Sequence, residues 1–292
     1  MRTETRAAHA KLNLTLDILG SRPDGYHDLR MVMQSISLCD QVTVAESGGT
    51  GFSVSCSRGD LPSGPDNLAW KAADVFFQAA GLPKPGLEIV LTKHIPAQAG
   101  MAGGSADGAA VLRILRDWYA PALSDGALSQ IGAAVGSDVP FCVLGGAALA
   151  EGRGELLQPV PPLPACKILL CKPDFGLSTP ALFRRTDGIS FARRPDAAAL
   201  TAALKAGDLA AAAQRLGNVF QEVLTPEEDR EIRWIQDVML RHGALGAVMT
   251  GSGPTVFGLW PSGQAASIRR AEELLRTRYT QIFSAEPETA EA

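Results

Sequence analysis

Apolar and polar residues alternate strictly near the start of the chain. Ala10, Leu12, Leu14, Leu16 and Ile18 fall on one face, Lys11, Asn13, Thr15 and Asp17 on the other. Period two predicts a half-buried strand from Ala8, with one cation on its polar face. After a turn at Gly20-Ser21-Arg22-Pro23-Asp24-Gly25 come strands at Leu29–Leu38, Gln41–Glu46 and Phe52–Cys56. A helix from Pro65-Asp66-Asn67 to Ala80 has Gly81 as its stop. Leu87–Lys93 alternates again as a strand. Ala109–Tyr119 and Ser124–Val135 carry apolar residues at helical spacing, and Phe141–Leu144 and Ala147–Glu151 read as strands on either side of Gly145-Gly146.

Pro159-Val160-Pro161-Pro162-Leu163-Pro164 is the clearest break in the pattern. Beyond it the expected elements are a strand at Lys167–Cys171, a short helix opening at Ser178-Thr179-Pro180, and alanine-rich helices at Pro195–Lys205 and Asp208–Leu216. Thr225-Pro226-Glu227-Glu228 starts a helix to His242. Leu245–Thr250 and Thr255–Trp260 form a hairpin, Ser262 caps a helix to Tyr279, and Thr280–Ser284 is a last strand. This order suggests an α+β, ferredoxin-like second half.

Composition narrows the class without naming a chemistry. The chain has 292 residues, 46% hydrophobic and 20% charged, with a net charge of -4. Those values describe a globular protein without a polyanion-binding surface. No apolar run reaches the roughly 20 residues of a membrane span, so neither nucleic acid nor membrane is an expected partner. Cys39, Cys56, Cys142, Cys166 and Cys171 are scattered and lack a C-x-x-C pair, as reduced, mostly buried thiols in a cytoplasm would be. The C-terminal stretch Ala285–Ala292 has the composition of a fraying tail.

Three stretches carry candidate chemistry. Pro96-Ala97-Gln98-Ala99-Gly100-Met101-Ala102-Gly103-Gly104-Ser105-Ala106-Asp107 lies between a strand and a helix, where unpaired N–H groups and the helix dipole attract an anion. No Lys follows Gly104, which excludes a Walker A loop, and Ala102 breaks the Gly-x-Gly-x-x-Gly spacing. The loop is either a phosphate cradle or a glycine turn with Ser105 as a plain N-cap. Tyr26-His27, level with the polar face of the first strand, either meets a base or forms a packed shoulder. Gly251-Ser252-Gly253-Pro254, between Thr250 and Thr255, is either an ordinary turn or a place where a phosphate presses on the backbone. Lys11 read alone is a solvated edge lysine, and Asp138 in Ser137-Asp138-Val139-Pro140 a turn-capping aspartate.

Taken in order, Lys11 on its strand, the P-x(3)-G-x(2)-G-G-S loop and the T-G-S-G-P hairpin resemble the GHMP small-molecule kinases over essentially the whole chain. Ala10-Lys11-Leu12-Asn13-Leu14, Gly20-x-Arg22-x-Asp24-Gly25-Tyr26-His27, Asp66-Asn67-Leu68, Gly136-Ser137-Asp138-Val139-Pro140 and Ala150-Glu151-Gly152-x-Gly154-Glu155 sharpen the likeness. They resemble the member that phosphorylates the 2-hydroxyl of cytidine-diphosphate-linked methylerythritol on the non-mevalonate route to isoprenoid precursors.

The resemblance implies a two-domain α+β GHMP kinase fold. Residues 1–158 would form the ATP-binding domain and 159–292 a ferredoxin-like domain, with substrate between them. It implies ATP as phosphoryl donor with Mg²⁺ bridging its oxygens, where Ser105 could touch the ion while the sequence offers no acidic ligand cluster for it, and a monomer or weak homodimer in the cytoplasm is expected. Lys11 and Asp138 take the catalytic roles. Asn13, Tyr26, His27, Phe183, Gly251 and Ser252 fall to the substrate. Pro96, Gln98, Ala99, Gly100, Met101, Ala102, Gly103, Gly104, Ser105 and Ala106 fall to ATP. The family loop usually reads G-L-G-G-G-S-S, so Met101, Ala102 and Ala106 are departures. Ala102 implies either a tolerable backbone angle or strain, and Ala106 removes a hydroxyl. Asn218, in a broken N-D-L-E-like motif, receives no role. The alternatives are a GHMP kinase for homoserine, mevalonate or a sugar, and a silent nucleotide-binding protein on the same fold.

Overall fold

The first strand, β1 (Thr3–Ser21), is not half-buried: both of its faces are inside from Ala10 to Ile18. Lys11 is 4% exposed and Asn13 1%, which removes the reading of Lys11 as a solvated edge lysine. Buried polar groups need partners, and this face supplies them. The Val32 N–H donates to Thr15 Oγ1 and the Arg194 guanidinium to the Asp17 carboxylate, each at 3.0–3.1 Å. These contacts come from a computed structural model, which describes residues 1–290.

β2 (His27–Ser47) is one strand where the sequence suggests two. Cys39-Asp40 reads as a break, but Asp40 is fully buried and its carboxylate takes the N–H groups of His94 and Ile95. The chain continues through β3 (Gly51–Cys56), α1 (Leu68–Ala80), β4 (Gly86–Thr92), α2 (Gly103–Tyr119), α3 (Asp125–Ala133), α4 (Val139–Leu144), β5 (Ala147–Gly152), β6 (Leu156–Pro159) and β7 (Cys166–Lys172). Then come α5 (Thr179–Thr186), α6 (Ala197–Lys205), α7 (Leu209–Ala213), β8 (Gly217–Asn218), a 3₁₀ turn at Val219–Val223, α8 (Pro226–Arg241), β9 (Gly246–Met249), β10 (Val256–Pro261), α9 (Ala265–Arg276) and β11 (Gln281–Ala285).

Two compact units share this chain. One comprises Met1–Ala10, Cys39–Ile95 and Ala102–Gly145; the other comprises Lys11–Leu38, Pro96–Met101 and the residues from Gly146 onward. β1 and β2 each begin in one unit and finish in the other. The proline run at Pro159–Pro164 lies inside the second unit, because β5 pairs with Leu29–Gln34 of β2 and β6 pairs with β5.

In the first unit, β3 runs parallel to β4, and β4 antiparallel to Gln41–Ser47 of β2. Their apolar side chains meet α1 and α2 in a core built around Val42, Phe76, Phe77, Ile89, Val111 and Leu115. Asn67 caps α1 by accepting the Ala69 N–H, and Gly81 ends it at φ 65°, a left-handed angle that favours glycine. Phe141–Leu144, expected as a strand, is α4 instead. Pro140 sits in its first turn, where a missing N–H costs nothing, and that position outweighs the strand-like side chains after it.

The second unit contains the antiparallel sheet β11-β7-β10-β9, with α8 and α9 packed on it. The expected α+β pattern is therefore present. The capping box of Thr225 and Glu228 starts α8. α9 begins after Gln264, not at Ser262, whose hydroxyl donates to the Ala165 carbonyl instead. The tail does not fray through residue 288. Glu286 exchanges hydrogen bonds with Ser37, Pro287 bridges Ile36, and Glu288 pairs with Ser35 and Gln34. Residues 291 and 292 lie outside the described residues.

All five cysteines are thiols outside any disulfide. Only Cys166 and Cys171 are buried, and burial pushes both thiols up to about 12. Among the described residues no helix is long and apolar enough to cross a membrane.

Candidate active site

The glycine loop is strained where it meets its helix. Gln98 at φ 49° and Ala102 at φ 58° are the only non-glycine residues with positive φ among the described residues, and both lie in this loop. A left-handed angle costs an L-residue roughly 1–2 kcal/mol, and such strain persists where the surroundings hold it in place. Ala102 occupies the N-cap of α2 without a side-chain hydrogen bond, so Ser105 is not the cap but the third residue of the helix. We expect Ala102→Gly to raise stability by about 1 kcal/mol, read from urea or thermal melts, with activity retained.

The first N–H to close a turn of α2 is that of Ala106, onto the Ala102 carbonyl at 2.9 Å. The N–H groups of Gly103, Gly104 and Ser105 precede it and form, with the helix dipole, a seat that fits a phosphate. Packing also demands glycine here. A Cβ on Gly103 would lie 3.0 Å from Ile95 Cγ2, and one on Gly100 would lie 2.3 Å from the Thr250 carbonyl oxygen. Pro96, Ala99 and Met101 are buried, Gln98 is exposed, and Ala106 joins the apolar core of the first unit.

Within the second unit, three separated stretches converge. Lys11 Nζ donates to Asn13 Oδ1 at 2.6 Å, and the Lys11 N–H donates to the Met101 carbonyl. The Asn13 N–H donates to Thr250 Oγ1 at 2.9 Å. Gly251 sits so close that a Cβ there would lie 2.7 Å from the Gly100 carbonyl and 3.3 Å from Asn13 Oδ1. The strand, Gly100 and the hairpin are thus packed backbone to backbone. Ser252 shares a hydrogen bond with Thr179, Oγ to Oγ1, at 2.7 Å.

Asn218, given no role from sequence, holds the hairpin. Its side-chain amide donates to the carbonyls of Met249 and Gly251 at 2.8 and 2.7 Å and accepts from the Phe220 N–H. Its neighbour Val219 breaks the motif that would have flagged it, and spacing does not reveal where a lone amide points.

Asp138 belongs to the first unit, at the N-cap position of α4. Its side chain makes no cap hydrogen bond, so turn capping does not account for it. Two residues earlier, Gly136 comes within 3.9 Å of Ser105 Oγ, measured from where its Cβ would be. The loop carrying Asp138 therefore runs beside the start of α2.

Tyr26 and His27 sit in different surroundings. His27 is packed: its ring stacks on Phe183 at 4.8 Å and 23°, and its Nε2 lies 2.9 Å from Asp187 Oδ1. A carboxylate partner makes Nε2 the donor, which leaves Nδ1 as an acceptor in the neutral ring. Phe183 is itself held edge-on by Phe220 at 5.0 Å. Tyr26 is 52% exposed, with the Arg153 guanidinium 4.9 Å from its ring centre. No base fits between His27 and Phe183 as they stand, whereas the Tyr26 ring is open.

These features have counterparts in known proteins. Residues 67–146 match the GHMP kinases N terminal domain and residues 200–271 the GHMP kinases C terminal. Fold and loop chemistry together define a GHMP kinase. The homoserine kinase of Cytophaga hutchinsonii shares the fold, with a TM-score of 0.74 at 19% identity over 99% of this chain and 95% of that one. A solved 4-(cytidine 5'-diphospho)-2C-methyl-D-erythritol kinase superposes with a TM-score of 0.80 at 31% identity, covering 99% of this chain and 100% of that one. The 4-diphosphocytidyl-2-C-methyl-D-erythritol kinase of Pelotomaculum thermopropionicum is 44% identical over 94% of this chain and 97% of its own. That of Moorella thermoacetica is 43% identical over 96% and 97%. The chain belongs to the 4-diphosphocytidyl-2-C-methyl-D-erythritol kinase family.

Proposed function

We propose that this protein transfers the γ-phosphoryl group of ATP to the 2-hydroxyl of 4-(cytidine 5'-diphospho)-2-C-methyl-D-erythritol, a step of the non-mevalonate route to isoprenoid precursors. The observation that carries this reading is the buried Lys11–Asn13 pair, packed by Gly251 against the glycine loop. A buried ammonium beside an amide suits a phosphoryl acceptor site better than it suits a stable core.

Phosphoryl transfer is mostly positioning and charge neutralisation through a loose in-line transition state. The N–H groups of Gly103, Gly104 and Ser105 hold phosphate oxygens. Lys11 neutralises charge on the moving group, and Asn13 orients the acceptor hydroxyl. A carboxylate is in general far too weak a base to ionise an alcohol beforehand; Asp138 orients the hydroxyl and accepts its proton late, as the new O–P bond forms. Mg²⁺ neutralises charge on the phosphates when bound. The Ser105 hydroxyl is the side chain of this loop that would hold the ion. Gly251 and Ser252 line the substrate side. A cytoplasmic location and a monomeric or weakly dimeric state go with this reading.

Tyr26 stacks on the cytosine, and His27 Nδ1 accepts from its exocyclic amine, with Phe183 fixing the imidazole. A site built to pair with a base edge rejects ligands lacking it. Base stacking contributes about 1–3 kcal/mol, so Tyr26→Ala should lower kcat/KM for the cytidine substrate by roughly ten- to a hundredfold and leave KM for ATP unchanged. The deciding experiment is ADP release with a panel containing the cytidine-diphosphate polyol, homoserine and mevalonate. Turnover of the polyol alone is expected; folded protein that ignores it, or prefers another alcohol, defeats the reading.

A further inference from the structure

One buried charge cluster lies beside the anion seat without belonging to the machinery described above. Lys93 follows β4 directly, yet its side chain is only 5% exposed. The ammonium lies between Asp40 of β2 and Asp107 of α2, both fully or almost fully buried. Nζ is 2.5 Å from Asp107 Oδ2 and is also bonded to Asp40 Oδ2. The other Asp40 oxygen accepts the N–H groups of His94 and Ile95, the latter at 2.8 Å. A Cβ on Gly103 would lie 3.5 Å from Lys93 Nζ.

Sequence order gives the cluster its meaning. Residues 93–95 lead into the glycine loop, and Asp107 lies one helical turn past Gly103, where the loop has ended. One ammonium therefore ties the segment before the loop to the helix after it. Buried ion pairs stabilise a fold poorly, because desolvation consumes most of their attraction. This one is also imbalanced: two carboxylates face one cation, and Asp107 Oδ1 is buried without a hydrogen-bond partner. Burial pushes the Asp107 carboxyl up to about 7 against the pull of Lys93. Stability alone is a weak reason for such a cluster, whereas the loop it flanks contains two residues held at strained angles.

We propose that Lys93 is a positioning residue that, through Asp40 and Asp107, fixes the separation of the two ends of the glycine loop and so aligns the N–H groups of Gly103, Gly104 and Ser105 for ATP. The proposal rests on the reading of that seat as the ATP phosphate site, and not on the identity of the alcohol.

Asp107→Ala cuts the link while leaving Lys93 and Asp40 as a balanced pair. Asp107→Asn removes the charge but keeps an oxygen for Lys93. ATP affinity is measured directly by calorimetry without the alcohol, and KM values for ATP and for the polyol are then compared. Small misplacements are costly in aligned sites, so the Ala variant should bind ATP about tenfold more weakly with KM for the polyol within about twofold, and the Asn variant should stay within about threefold of the parent. Asp107→Leu fills the same space and cuts the same link if the Ala variant does not fold. Unchanged ATP binding in the Ala or Leu variant overturns the proposal. An equal loss in the Asn and Ala variants also overturns it, since charge and not linkage would then be at work. If the parent binds ATP but does not turn over the polyol, the substrate reading fails and this comparison still stands.

Discussion

Asp138→Asn should lower kcat by roughly 10²–10⁴-fold, the range for loss of a group that handles a proton in the transition state. ATP binding should stay essentially unchanged. The amide has the shape of the carboxylate but cannot take the proton released as the O–P bond forms. The substitution breaks no helix cap, because Asp138 occupies an N-cap position without bonding the α4 amides. The amide keeps the size of the carboxylate, so the variant should remain folded. Steady-state ADP release, calorimetric ATP binding and a thermal melt on the same preparation check all three points. A variant turning over within about fivefold of the parent, well short of a proton-handling effect, would remove Asp138 from the chemistry. A sensor that only binds nucleotide predicts ATP binding without ADP release in parent and variant alike.

The parts of the fold legible in sequence were those governed by local rules. Asn67 and Gly81 bracket α1, Thr225 and Glu228 open α8, and the Thr250–Thr255 turn joins β9 to β10, each by short-range chemistry that the residue types announce. Failures came where a distant partner changed the answer. Asp40 looks like a turn residue until Lys93, His94 and Ile95, more than fifty positions away, make it an interior strand residue. The acidic tail looks mobile until Ser35 and Ser37 pair with it. α4 failed differently, since the six residues Val139–Leu144 carry too few positions to show a period, and the proline was the better guide.

The site divides along the same line. Lys11, Asn13, the loop and the hairpin could be named from their motifs, and their packing around Gly100 and Gly251 was then a matter of tertiary structure. Ala102 reads from sequence as either tolerable or strained, and its φ of 58° decides for strain. Asn218 and Lys93 are not legible in the sequence because each meets partners that no spacing rule connects to it.

Lys11→Met should cost roughly 10²–10³-fold in kcat, comparable to removing one preorganised donor from a developing negative charge. The magnitude follows from burial. At 4% exposure the ammonium acts through protein more than water, where a charge interacts several times more strongly. Methionine matches the length of the aliphatic stem, so packing along β1 is kept. It leaves Asn13 Oδ1 without the Lys11 donor, a loss of about 1–3 kcal/mol for a buried acceptor, and at the same time relieves the desolvation of a buried charge. These two effects oppose each other, so the melting temperature should move little while the rate collapses. Lys11→Arg should not restore the rate, because a planar fork differs from a compact ammonium in both size and donor geometry. A lysine retained for structure predicts the reverse pattern, with stability falling and turnover per folded molecule preserved. Measuring both quantities on the Met variant separates the two roles, and a stable, active Met variant rules out Lys11 as the group that neutralises the transferring phosphoryl.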